Sequence, residues 1–276
     1  MRSLKEWLEY GTGFLESRMI QDAETDAWLL LEYTANITRS FYYMNMHDPM
    51  DPGDAEDYLL LLQRRAEHIP VQYLIGEAWF YGHSFRVNRD VLIPRMDTEI
   101  LVEEAVKRLE PGMRVLDLCT GSGCILLSIL KESSVTGVGT DISKDALLVA
   151  EMNRKRLSVS ATWIESDLFA MVGGTFHMIV SNPPYIRTDV IDTLDREVKD
   201  FEPYAALNGG ADGLDYYRRI TAEAGTYLEP DGWLCMEIGY DQGKSVPDLM
   251  RSAGFADVST VKDLSGLDRV VLGRKA

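Results

Sequence analysis

The sequence predicts an α/β fold: a doubly wound, mostly parallel sheet of seven strands, preceded by a small all-helical domain and a β-hairpin linker. Three observations carry this expectation. Residues 1 to about 67 show helical periodicity and no strand-like alternation. Over residues 73–91 the pattern shifts to aromatic and β-branched residues punctuated by Gly76 and Gly82. After Pro111, short apolar segments alternate with helical ones, as when helices cover both faces of a parallel sheet. The expected division is a helical domain over 1–72, a hairpin linker over 73–92 and the α/β domain over 93–276.

Each element has a local reason. Ser3 and Glu6 have the spacing of a capping box, in which each side chain satisfies the other residue's backbone donor, and Leu4, Trp7 and Leu8 then share one helical face. A second helix begins near Asp22 and carries Trp28, Leu29, Leu31 and Tyr33; a third runs from about Asp54 to Glu67, after the turn signal Asp51, Pro52, Gly53. The Met and aromatic stripe of these helices reads as core. Further along, strands are expected at 114–118, 137–141, 162–164, 177–180, 233–238 and 269–273, and helices at 125–130, 144–156, 214–228 and 242–253.

Composition narrows the function. With 276 residues, 46% hydrophobic and 26% charged, the chain is an ordinary globular one of one or two domains. A net charge of -16 has the wrong sign for binding mainly through phosphate neutralisation, so direct nucleic-acid contact is not expected. Cys119, Cys124 and Cys235 cannot all pair, and no Cys/His cluster has zinc spacing, so no metal and a reducing compartment are expected. Glu6 and Glu9 near the start, and apolar runs far shorter than the roughly 18 residues of a membrane span, point to a cytoplasmic protein with no membrane partner.

In doubly wound sheets, ligands bind beyond the carboxyl ends of the strands. The first strand is followed by Thr120, Gly121, Ser122, Gly123 and Cys124, a turn whose glycines allow close approach of a ligand to the backbone before a helix begins. Leu126 stands where a dinucleotide fingerprint has its third glycine, which lowers nicotinamide and flavin enzymes. The second strand ends at Asp141, 20 positions beyond Gly121, where a carboxylate reaches ribose hydroxyls; a helix N-cap is the plainer role for it. Asp167, Leu168 and Phe169 follow the third strand and offer a carboxylate and apolar groups to an adenine ring, though Asp167 also suits a solvated turn. The fourth strand runs into Asn182, Pro183, Pro184 and Tyr185. Two prolines carry no N–H, so with the Asn182 side-chain oxygen the loop presents acceptors to a planar NH2 group, on which Tyr185 can stack.

With these residues in place, the chain resembles class I S-adenosylmethionine-dependent methyltransferases acting on planar nitrogen, whose signature is Asn-Pro-Pro-Tyr after the fourth strand. More closely it resembles the peptide chain release factor glutamine methyltransferases. The matching segments are residues 92–99 (Leu-Ile-Pro-Arg-Met-Asp-Thr-Glu), 117–124, 182–185, 201–203 (Phe-Glu-Pro), Ala206, Leu207, 209–213, and Asp268, Arg269, Val270, with Arg64, Arg65, Pro70, Tyr73 and Gly76 upstream. Met96 departs from the pattern, where a second proline is usual, as does His68, where glycine is frequent.

The resemblance implies a Rossmann-like methyltransferase sheet and S-adenosylmethionine as cofactor, leaving as S-adenosylhomocysteine. The cofactor site would comprise Thr120, Gly121, Ser122, Gly123, Cys124, Asp141, Asp167, Leu168, Phe169 and Asn182. It implies as substrate the glutamine of the Gly-Gly-Gln loop of release factors, methylated on its amide nitrogen in the service of translation termination. Asn182, Pro183 and Tyr185 would be catalytic, and residues 182–185 would bind substrate. No His or Cys is expected to be catalytic; His177 is read as a packed strand residue. Two other readings stand beside it: methylation of an exocyclic amine of adenine or guanine, for which Arg64, Arg65 and Arg154, Lys155, Arg156 would be the phosphate track, and a non-catalytic binding scaffold.

Overall fold

A computed structural model describes residues 2–276. The chain forms two compact units: residues up to Gly76 together with Asp195–Phe201, and Glu77–Leu194 together with Glu202–Ala276.

The first unit holds α1 (Leu4–Glu16), α2 (Ala23–Ala35), α3 (Arg39–Asn45), α4 (Pro52–Ala66) and α5 (Val71–Ile75). The capping box forms as expected: the Ser3 N–H donates to Glu6 Oε2 at 2.7 Å and the Glu6 N–H to Ser3 Oγ at 3.3 Å. Helix α4 starts earlier than expected because Pro52 suits a first helical turn and Asp51 caps it, accepting from the Gly53 N–H at 2.8 Å. Leu15, Leu30, Leu31, Tyr58 and Leu62 are fully buried between α1, α2 and α4. Gly11 permits that packing, since a Cβ there would overlap the Tyr58 hydroxyl, which donates to the Ala27 carbonyl at 3.1 Å. Arg65 is buried too: Nε meets Asp26 Oδ2 at 2.6 Å, Nη1 donates to the Ile69 carbonyl and Nη2 meets Glu197 Oε1 at 2.5 Å. Through Glu197 and Phe201, the segment 195–201 belongs to this unit rather than to the sheet, as its sequence position had suggested. His68 adopts φ 68°, a left-handed conformation that favours glycine.

The second unit opens with a hairpin, β1 (Glu77–Phe80) and β2 (His83–Arg86). The expected linker over 73–92 is corrected at its start: residues 73–75 complete α5, and the break falls at Gly76, a left-handed helix cap with φ 75°. The hairpin is part of the second unit, because buried Asn153 accepts from the Arg86 N–H at 2.6 Å and donates to the Arg86 carbonyl at 3.0 Å. In chain order follow α6 (Glu99–Val106), β3 (Arg114–Leu118), α7 (Cys124–Glu132), β4 (Thr136–Asp141), α8 (Lys144–Leu157), β5 (Ala161–Glu165), β6 (Phe176–Ser181) and α9 (Thr188–Ile191). After α10 (Arg196–Lys199) of the first unit come α11 (Tyr204–Leu207), α12 (Asp215–Tyr227), β7 (Leu228–Glu237), α13 (Ser245–Ser252), β8 (Phe255–Lys262) and β9 (Asp268–Lys275).

The sheet has seven strands, the expected number, in the order β5-β4-β3-β6-β7-β9-β8, parallel except where β9 pairs antiparallel with both β7 and β8. Strand β8 was not foreseen: it lies at the edge, with alternate residues partly exposed and too few apolar ones to stand out. From Val115 to Leu118 strand β3 is buried on both faces, as a central parallel strand must be, and apolar except for the buried Asp117. The connections reverse direction beside β3, with β4 on one flank and β6 on the other, and at that switch point a crevice opens beyond the strand ends.

Candidate active site

Register brings the expected residues together. Leu118 pairs with Thr140 on one side and with Ser181 on the other, so the segments following β3, β4 and β6 emerge side by side. They line a cavity of about 290 Å³, whose walls include Thr120, Gly121, Ser122, Cys124, Asp141, Asp167, Leu168, Asn182 and Pro184. Gly121 has φ 54° with open space where a Cβ would be, so its backbone is accessible. The Gly121 N–H donates to Asp141 Oδ2 at 2.9 Å and the Ser143 N–H to Oδ1 at 2.9 Å. The helix cap on α8 is Ser143, whose Oγ accepts from the Ala146 N–H, which leaves Asp141 facing the cavity. Burial raises the Asp141 carboxyl above the usual carboxylate range, opposed by those backbone donors.

Four expected residues do not line the cavity. Phe169 is corrected outright: it is a core residue, stacked on Tyr227 with ring centroids 4.6 Å apart, because the left-handed turn at Leu168 (φ 51°) leaves Leu168 at the cavity and directs the next side chain inward. Gly123 supports the turn from behind, with its N–H donating to the Thr120 carbonyl at 2.8 Å. Pro183 is buried in the loop. Tyr185 is directed away, its hydroxyl donating to Glu237 Oε1 at 3.4 Å.

Two residues that sequence reasoning passed over stand behind the loop. Thr98, 2% exposed, lines the cavity, and Asn182 Nδ2 donates to its hydroxyl at 3.4 Å. Glu237 ends β7, buried, with Oε2 lacking a hydrogen-bond partner. Burial pushes its carboxyl up to about 7, opposed by Thr98, the Arg269 charge and the Tyr185 hydroxyl. Asp117 is its counterpart at the end of β3: Thr120 donates to Oδ2 at 2.5 Å, Oδ1 has no partner, and burial with the nearby Asp141 charge raises the carboxyl to about 7. A signal for both was present, an acid closing an apolar strand, and Thr98 sits within the 92–99 segment noted for its resemblance.

Other groups are committed elsewhere. Burial pushes the Cys124 thiol up to about 12 and raises Cys119 further, so neither is a ready nucleophile. His177 Nδ1 accepts from the Arg114 N–H at 3.1 Å. Arg65 is buried in ion pairs, Arg154 and Lys155 pair with Glu151, and Arg156 pairs with Glu77, so four of the five basic residues considered as a phosphate track are engaged in ion pairs, while Arg64 is exposed. Among the described residues, no His, Cys, Asp and Glu group could hold a metal ion, and no helix is long and apolar enough to cross a membrane.

Comparison with known proteins agrees with this geometry. Residues 6–76 match the family model described as PrmC N-terminal domain, and residues 95–197 match the methyltransferase small domain. A curated release factor glutamine methyltransferase of Geobacter sulfurreducens is 39% identical over 274 residues, covering 99% of this chain and 96% of that protein. The chain belongs to the release factor glutamine methyltransferase family. A second relative of that name, from Caulobacter vibrioides, is 43% identical over 270 residues, covering 95% of this chain and 92% of the relative. Among solved structures, a methyltransferase from Pyrococcus furiosus aligns with a TM-score of 0.57 at 19% identity, covering 78% of this chain and 98% of that one, a likeness of fold. Membership makes the chain a methyltransferase with the Rossmann-like sheet of that class.

Proposed function

We propose that the chain transfers a methyl group from S-adenosylmethionine to the side-chain amide nitrogen of the Gly-Gly-Gln glutamine of a class 1 release factor. The observation that carries this reading is the strand register that puts Asn182 in the same cavity as Gly121 and Asp141. The cavity suits the cofactor: an exposed glycine backbone stands beside a carboxylate with lone pairs to spare, and Ser166, Asp167, Leu168 and Ile142 complete one wall. Asp141 would accept from the ribose hydroxyls, and Leu168 and Ile142 would flank the adenine. When bound, the cofactor supplies a sulfonium methyl, which is already a strong electrophile.

What remains for the protein is position and electrostatics. An amide nitrogen is a poor nucleophile because its lone pair is delocalised. Acceptance of its two N–H groups by Asn182 Oδ1 and the Pro183 carbonyl would orient the nitrogen and favour positive charge developing on it. The N-methylated amide cation is acidic and loses its extra proton afterwards, so no early base is needed, consistent with the committed His177 and the protonated cysteines. The helical unit is proposed to hold the protein substrate: Phe41, Tyr43 and Met44 are large apolar side chains exposed on the short helix α3, where a protein partner could cover them.

The test is a methyl-transfer assay with labelled S-adenosylmethionine, purified release factor and duplex DNA in parallel. Label is expected on release factor alone. Asn182→Ala should lower kcat on the order of 100-fold, as loss of one oxyanion-type contact does, and change KM much less. Wild-type turnover in that variant would reduce the loop to a plain turn, and label on DNA alone would reverse the choice of substrate.

A further inference from the structure

We infer that Thr98 is a positioning residue for methyl transfer: backed by Glu237, its hydroxyl decides which end of the Asn182 amide faces the substrate. The inference rests on the proposed role of Asn182 and adds what enforces it. A side-chain amide has two ends of similar shape and opposite polarity, and only the hydrogen-bond network chooses between them. If Nδ2 faced the cavity, its hydrogens would oppose those of the incoming NH2 group. For the loop to act as a receptor, Oδ1 must face inward and Nδ2 must be occupied elsewhere.

Thr98 supplies that occupation. Nδ2 of Asn182 donates to Thr98 Oγ1 at 3.4 Å, and Thr98 is buried at the cavity wall, in the turn that leads into α6. A hydroxyl can also donate, so it anchors Nδ2 dependably only if its own hydrogen is taken. The buried carboxyl of Glu237, whose Oε2 has no hydrogen-bond partner, is the group available to take it. Oε1 receives the Tyr185 hydroxyl at 3.4 Å, and Oε2 has no partner that competes for a further donor. Above about pH 7, where the Glu237 carboxyl is ionised, it only accepts, so a Thr98 hydrogen turned towards Glu237 leaves the Thr98 lone pairs for Asn182. On this inference polarity passes from the end of β7 to the loop after β6: Asn182 donates to Thr98, Thr98 would turn its hydrogen to Glu237, and Oδ1 is left for the substrate. Both residues act through Asn182.

The experiment uses the full-length protein with release factor and labelled S-adenosylmethionine. Thr98→Val keeps the shape and removes the hydroxyl; kcat should fall about tenfold, the worth of one hydrogen bond of this kind, with KM for release factor and cofactor affinity within about twofold. Thr98→Ser should restore most of the loss. In an Asn182→Ala background Thr98→Val should cost nothing more, which a role in general stability would not produce. Glu237→Gln leaves Thr98 intact but can donate to it, and should lower kcat in the same KM-neutral way; it carries the test if Thr98→Val does not fold. Wild-type kcat in Thr98→Val or in Glu237→Gln, or an equal loss with and without Asn182, overturns the inference while leaving the amide receptor standing. Wild-type turnover in Asn182→Ala overturns both.

Discussion

The two units bury charge in opposite ways. In the helical unit, Arg65 spends three guanidinium nitrogens on Asp26, Glu197 and the Ile69 carbonyl, and its partners converge from α2 and from the distant segment 195–201. In the sheet unit, Asp117 and Glu237 are as deeply buried, yet each keeps one carboxylate oxygen without a hydrogen-bond partner. A folded protein rarely tolerates a buried polar atom without a partner, so a charge cluster paired throughout reads as architecture, while one left incomplete beside a cavity reads as chemistry. Asp26 shows that pairing does not cancel burial: desolvation still raises its carboxyl, against the Arg65 charge.

The comparison is broken most directly at Arg65. Arg65→Met leaves Asp26 buried without its counter-charge and should cost about 3–5 kcal/mol of stability, read as a fall in the urea midpoint. A change below about 1 kcal/mol would mean that the triad is not the structural charge described.

On the other side, Asp141→Ala would remove the proposed charge-assisted hydrogen bonds to the ribose and should weaken S-adenosylmethionine binding by roughly 1.5–3 kcal/mol in calorimetry; loss of the acceptor for the Gly121 and Ser143 N–H groups should lower the urea midpoint as well, by less than Arg65→Met does. Unchanged affinity would remove Asp141 from the cofactor site. The pair of variants sharpens the contrast: a structural charge moves mainly stability and a site charge mainly affinity.

A third variant probes close packing without charge. Gly11→Ala inserts a methyl against Tyr58, fully buried in the helical unit, and overpacking of this kind costs typically about 1–3 kcal/mol. An unchanged urea midpoint would show that α1 and α4 can separate without loss.

The smallest effect concerns pH. Burial raises Asp117 from 3.8 and Glu237 from 4.5 to about 7. Between roughly pH 4 and 7 the folded protein therefore retains protons that the unfolded chain has released, so their contribution to stability is full below that window and is lost as pH rises through it. Glu237→Gln should make the fall in urea midpoint between about pH 5 and 8 shallower than in the wild type, by on the order of 1 kcal/mol. Parallel pH profiles would show that Glu237 does not titrate in that range.

Much of this was legible beforehand because it depends on neighbours in the chain. The capping box at Ser3, the glycine turn after β3, the acid at the end of β4 and the Asn-Pro-Pro-Tyr loop after β6 each follow from local geometry: what a glycine permits, what a proline withholds, where a strand must stop. The elements that escaped, α3, α5, α6, the short helices from α9 to α11, and the edge strand β8, are brief or half-exposed, so their apolar pattern is thin.

Residue types at short spacing were enough for the main helices, the alternation of strands and helices after Pro111, the position of the Asn-Pro-Pro-Tyr loop and the resemblance to a methyltransferase family. Tertiary structure alone decided that Phe169 belongs to the core, that residues 195–201 join the helical unit, that Arg65 is an internal ion-pair partner, and that Thr98 and Glu237 stand behind Asn182. The physical reason is the same each time. Burial and pairing are set by contacts between residues tens to more than a hundred positions apart, as between Arg65 and Glu197, and no local spacing rule records which distant partner a side chain will meet.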